Sequence, residues 1–258
     1  FMSKFRDDTA IGGGHNHFET TEWTQIFQYR LSDAARQGVI IDSLIRKYWR
    51  PVYFYLRQHH YDSEQAKDLT QSFFCEVVLS RNLLGRADRE KGRFRNFLLT
   101  ALRCFLADTY RKETAKCRQP EVQSFQIPVE TLPQLPESVR TQSPEQLFGY
   151  MWAVDMIEAV IRQTQSFCEL SGKQVHWKLF EAHVLSPIRN QTSPVSLKSL
   201  CAEFQIAGED KASNMVITVK RCFRRILEDH LRHCVQDDSC VDEEIQDLFA
   251  LFESCCAG

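Results

Sequence analysis

The chain has 258 residues, 43% apolar and 26% charged, with 32 Lys+Arg against 34 Asp+Glu and a formal net charge of −2. That composition suits a folded chain with a packed core, the length suits one large domain or two small ones, and no apolar run approaches the ~18 residues that cross a bilayer. The first residues lack the apolar stretch of a signal peptide, so a cytoplasmic location with reduced thiols is expected. The ten cysteines then read as small buried apolar groups. No C-x-x-C pair occurs, and the spacing of His230, His233, Cys234 and Cys240 fits no zinc pattern, so neither metal nor cofactor is expected.

In chain order the elements read as helices. Asp62 and Gln65 are placed to form a capping box ahead of Ala66, Leu69, Phe73 and Val77, which recur three and four residues apart. Phe94, Phe97, Leu98, Ala101, Leu102 and Phe105 repeat that spacing. Residues 119–144 hold five of the eight prolines, Pro120, Pro128, Pro133, Pro136 and Pro144, which excludes a helix or a central strand there. The segment 119–143 is read as an extended linker. Ser143-Pro144-Glu145-Gln146 restarts a helix, with Ser at N-cap, Pro in the first helical position and Gln at the third. Val154, Ile157, Val160 and Ile161 continue it. Further on, Ser196–Phe204 reads as a short helix, Gln205–Lys211 as a turn and Ala212–Leu231 as a longer helix, which together make a helix-turn-helix. The expected fold is all-α: helical domains over 22–118 and 144–235, the linker 119–143 between them, and an acidic tail over 236–258.

The charge is unevenly spread. Residues 91–118 hold Lys91, Arg93, Arg95, Arg103, Arg111, Lys112, Lys116 and Arg118 against Asp108 and Glu113. A second basic run, Lys220, Arg221, Arg224, Arg225 and Arg232, meets only Glu228 and Asp229. The tail holds seven acids and no Lys or Arg. Phosphate binding follows local potential rather than the whole-chain sum, so both basic runs are candidate nucleic-acid surfaces. Phe94 and Phe97 beside cations offer the ring faces that unpaired bases stack on, although one of them must also pack inward. Ser213, Asn214 and Thr218 at the start of the longer helix can reach base edges or phosphates, and Lys220, Arg221, Arg224 and Arg225 suit the backbone. The tail, with Asp242, Glu243, Glu244 and Asp247 among Ile245, Leu248, Phe249, Leu251 and Phe252, reads as an amphipathic helix. It either packs on the second domain, covers the basic helix, or docks a regulator.

These residues resemble bacterial RNA polymerase sigma factors of the extracytoplasmic-function type. Ala66-Lys67-Asp68-Leu69-Thr70-Gln71-Ser72-Phe73-Phe74 is similar to the family's A-x-D-L-x-Q-x-x-F helix. The resemblance implies that Ala66, Asp68, Leu69, Gln71 and Phe74 bind the clamp coiled coil of core RNA polymerase. Leu44 through Tyr53 resembles the helix before it. Phe94-Arg95-Asn96-Phe97-Leu98, through Arg103, Asp108 and Arg111, is similar to the stretch that binds and opens the −10 promoter element. That makes Phe94, Arg95, Asn96, Phe97, Arg103, Arg111 and Lys112 the implied contacts. The helix-turn-helix resembles the region that reads the −35 element and meets the polymerase flap, with Ser213, Asn214, Thr218, Lys220, Arg221, Arg224 and Arg225 as the implied contacts. Cys104 and Val216 depart from the family pattern. The implied partners are core polymerase and promoter DNA, with an anti-sigma factor or other regulator left open and no membrane insertion. The alternative is a stand-alone helix-turn-helix regulator. No phosphate loop, nucleophile elbow or H-E-x-x-H occurs, and Asp68 with Glu76, or His59 with His60, read as surface groups, so no enzyme activity is expected.

Overall fold

The structure, a computed structural model, describes residues 22–88, 92–115, 139, 141–190, 192–232, 234 and 240–256. Among these residues every regular element is helical, so the all-α expectation holds. Nearly all of the expected linker, together with Lys91, Lys116, Arg118, His233, Asp237 and Asp238, lies outside the described residues.

Local signals in the sequence start the helices. After α1 (Glu22–Leu31), α2 (Ala34–Gln58) begins at Asp33, whose side chain accepts from the Arg36 amide at 3.0 Å. Helix α3 (Ser63–Phe73) begins in a reciprocal cap: Asp62 Oδ1 accepts from the Gln65 amide at 2.8 Å, and Gln65 Oε1 accepts from the Asp62 amide at 3.1 Å. The helix then widens into a π-helical stretch, Phe74–Ser80, that turns Phe74, Val77 and Val78 inward. A short α4 (Leu83–Arg86) precedes α5 (Phe94–Ala115). Helix α6 (Pro144–Leu170) opens in the second cap read from the sequence: the Ser143 hydroxyl accepts from the Gln146 amide at 3.2 Å, and Gln146 Oε1 accepts from the Ser143 amide at 3.0 Å. Helix α7 (Gln174–Phe180), a π-helical turn Glu181–Leu185 and α8 (Ser186–Asn190) follow. The chain ends with α9 (Leu197–Glu203), α10 (Glu209–Arg232) and α11 (Val241–Cys256).

Among the described residues the buried apolar side chains form two cores. The smaller joins Cys168, at the end of α6, to Trp177, Leu179 and Phe180 on α7, Leu200 and Cys201 on α9, and Ala212, Met215, Val216 and Val219 on α10. The larger gathers α1 to α5 together with Leu147 to Val160 of α6, Cys222 to Leu231 of α10, and Val241 and Leu248 of α11. Helices α6 and α10 therefore each run through both cores. The larger core takes residues from both sides of the 119–143 segment. Its main seam is α2 against α6, where Phe148 stacks on Tyr48 and meets the edge of Tyr55, both at 6.4 Å between centroids. Arg50 pairs with Asp155 across that seam and lies 3.5 Å from Glu158. Desolvation dominates at the Asp155 carboxyl and pushes its pKa up to about 6, the Arg50 charge offsetting only part of the burial cost.

Candidate nucleic-acid interfaces

The helix-turn-helix is present with a shorter turn than expected. Helix α9 is capped by Ser196, whose hydroxyl accepts from the Ser199 amide at 3.2 Å. The turn is Phe204–Gly208, and α10 begins at Glu209, not Ala212. Gln205 at φ 54 and Gly208 at φ 134 make the reversal, a conformation that glycine takes without steric cost. Glu209 and Asp210 then favour the first helical turn, since negative charge suits a helix N-terminus.

One face of α10 is apolar, from Ala212 through Met215, Val219, Cys222 and Ile226 to Leu231. The other carries the candidate contacts. Lys211, Asn214, Thr218, Arg221 and Arg225 fall three or four residues apart, so they share one face. Asn214, Arg221 and Arg225 are exposed, and Thr218 is half-buried and donates to the Asn214 carbonyl at 2.8 Å. Lys220 and Arg224 are exposed on the adjoining strip, where Arg224 pairs with Glu228 at 2.7 Å. Ser213 is half-buried, and Arg225 lies 5.2 Å over the Phe167 ring. Val216, where the family pattern differs, packs into the smaller core.

A concave surface of about 690 Å³ adjoins this face, lined by His176 from α7, Gln205 and Ile206 from the turn, and Lys211, Asn214 and Thr218. Burial lowers the His176 pKa, with Lys173 and Lys211 adding repulsion. Lys211 and His176 were not among the sequence candidates. The spacing of Lys211 to Asn214 and Thr218 carried the signal for the first; only folding brings in the second.

Helix α5 is arranged differently. Phe94 is the ring that packs inward, edge-on to Tyr48 at 5.6 Å, while Phe97 is half-buried beside it. Asn96, Arg103, Arg111 and Lys112 are exposed. Arg103 meets Glu145 on α6 at 2.7 Å, a bond that holds the Glu145 pKa below its usual value. Arg111 and Lys112 lie 3.7 Å from Asp108 and Glu76 respectively. Arg95 is buried, paired with Glu244 of α11 and stacked 4.3 Å over Trp152.

Ala66 on α3 and Phe74, which opens the π-helical stretch, are core residues, Phe74 lying flat on Trp49 at 6.1 Å. Asp68 is exposed and Leu69 half-buried. Gln71 lines an apolar groove of about 200 Å³ with Ile41, Ile45 and Trp49 from α2.

The described cysteines are largely buried. Burial raises the thiol pKa of Cys75, Cys168 and Cys222, which keeps those sulfurs protonated and poor as nucleophiles. Among the described residues no helix is long and apolar enough to cross a membrane. Comparison with protein-family models, curated proteins and solved structures finds no match to this chain.

Proposed function

We propose that this chain is a sigma-type initiation factor: it binds core RNA polymerase and directs it to promoters. The observation that carries the reading is the open polar and cationic face of α10, presented by a helix-turn-helix beside a concave surface that includes Lys211. A helix of this kind enters the major groove with its first residues at the bases and its later cations on phosphates. Asn214 and Thr218 take the first role, Arg221 and Arg225 the second. In this proposal 22–118 acts as the polymerase-binding and −10-opening unit, 144–235 as the −35 reader, and 119–143 as the tether between them. The protein carries out no chemical step itself and works in the cytoplasm.

The assignment to polymerase, rather than to duplex DNA alone, rests on α3. Asp68 is exposed and Leu69 half-buried on α3, and Gln71 lines the apolar groove against α2; a surface of this kind suits a helical partner. The test is capture of core polymerase by the full chain, followed by run-off transcription. Wild type is expected to support both, and Asp68→Ala with Leu69→Ala to lose both while keeping its circular dichroism spectrum. Duplex binding without polymerase capture would leave only the stand-alone regulator.

A further inference from the structure

Helix α11 is seated on the front of α5 by charge and by shape. Glu244 is fully buried, although a carboxylate leaves water only at high cost unless it is paired. Its partners are the guanidinium of Arg95, which donates to Oε1, and that of Arg93, whose Nε stands 2.6 Å from Oε2 without hydrogen-bond alignment. Arg93 also pairs with Asp247 one helical turn on. Beneath Arg95 lies Trp152, whose indole N–H is buried without a hydrogen-bond partner. Two guanidinium groups, an aromatic face and an unused donor are what an unpaired nucleotide would be offered.

Shape points the same way. Leu248 is fully buried, and Phe252 packs edge-on to Tyr150 at 5.6 Å. Leu251 lies over Gly149 of α6 so closely that a Cβ added there would stand 3.0 Å from its Cδ2. Glycine inside a helix weakens it; here its bareness lets α11 approach. The cover also recurs on the neighbouring cation, since Arg103 is held by Glu145. Carboxylates from beyond the 119–143 segment therefore engage Arg93, Arg95 and Arg103.

We infer that Arg93, Arg95 and Trp152 form a binding seat for a single-stranded nucleic-acid backbone and base, and that α11 is its internal cover, Glu244 and Asp247 standing where phosphates would. This rests on the proposed reading that α5 takes an unpaired strand. In the free chain the seat is closed; engagement by a larger partner lifts α11 and opens it.

The test measures binding of a fluorescent single-stranded oligonucleotide to the full chain across a salt series. Two variants uncover the seat by independent routes. Glu244→Gln removes the charge, and Gly149→Leu pushes Leu251 away while leaving every charge in place. Both are expected to bind at least tenfold more tightly than wild type at low salt. The slope of log affinity against log salt should steepen by ~1.4, at ~0.7 for each phosphate contact that Arg93 and Arg95 add on a single strand. Should either variant stay folded by circular dichroism and bind with unchanged affinity and slope, α11 is not a cover. The outcome separates from that of the sigma reading. Run-off transcription with unaltered variant affinities overturns the cover alone. A gain in affinity without polymerase capture overturns the sigma reading alone and leaves the seat standing.

Discussion

On α5, Arg95 and Arg103 are held by carboxylates from α6 and α11, up to 149 residues along the chain. On α10, Arg221 and Arg225 stand at the surface, and Arg224 pairs with Glu228, four residues on, with the Asp242 charge of α11 acting on it more weakly. Two runs that look alike when basic residues are counted thus differ in the positive potential they offer a ligand. A salt bridge within one exposed helix is weak and quickly exchanged. A buried carboxylate shared by two guanidinium groups opens only if an element moves, because either partner alone would be left charged and dry. The open run is suited to first contact, and the closed run to a step that follows a rearrangement.

The comparison breaks most completely if the α2–α6 seam fails. Phe148→Ala removes a buried ring lodged between Tyr48 and Tyr55. It is expected to cost ~3–5 kcal/mol in urea unfolding and to free the α5 arginines as α6 loosens. An unchanged unfolding midpoint would show that the seam does not hold the molecule together.

A smaller effect comes from pH. The folded Asp155 carboxyl, at about 6, holds its proton longer than the unfolded chain's aspartate, at ~3.9. Its contribution to stability is therefore full below pH ~4 and is lost as pH rises through about 6, by at most ~3 kcal/mol. Urea midpoints of wild type and Asp155→Asn between pH 4 and 7 isolate it: wild type should lose more stability than the variant over that range. Glu145 works in the opposite sense, since its lowered pKa adds stability that is lost as pH falls. Parallel curves for the two proteins would mean that Asp155 is not desolvated as the structure has it.

The smallest change in stability, and the sharpest contrast between the helices, comes from surface cations. Arg221→Ala with Arg225→Ala should make the salt slope for duplex DNA shallower by ~1.8, at ~0.9 per lost phosphate contact. Arg111→Ala with Lys112→Ala should leave duplex binding nearly intact and act on single strands instead. Both double variants should unfold within ~0.5 kcal/mol of wild type. Equal effects of the two pairs on duplex binding would erase the distinction.

What could be read in advance was local. The caps at Asp62 and Ser143 involve groups three residues apart, and the apolar stripes of α5 and α6 need only the helical repeat, so both were legible. The structure starts α10 at Glu209 rather than Ala212, because Glu209 and Asp210 favour a helix N-terminus; two acids just after a glycine mark a helix start, not a turn. Arg95 could not have been placed from its own neighbourhood. Its position beside Phe94 and Leu98 is compatible with either surface or interior, and Glu244 and Trp152 decide between them. The same holds for His176, which joins Lys211 and Asn214 only when the α6–α7 turn packs beside α10.

Helix α10 carries its candidate contact face from Lys211 to Arg225, packs Ala212, Met215, Val216 and Val219 in the smaller core, and is anchored by Cys222, Ile226, Leu227 and Leu231 in the larger one. Its 24 residues make a rigid boom ~36 Å long at ~1.5 Å per residue. Ile226 lies ~26 Å from the tip, so a tilt of about 7° there would swing the tip by ~3 Å, close to the ~3.4 Å rise of one base pair. In the proposed reading, the register at which the tip meets the duplex is thus governed by how well Ile226 and Leu227 fit the opposite core. Conservative changes at those buried positions would shift which base pairs are addressed without altering any side chain that addresses them.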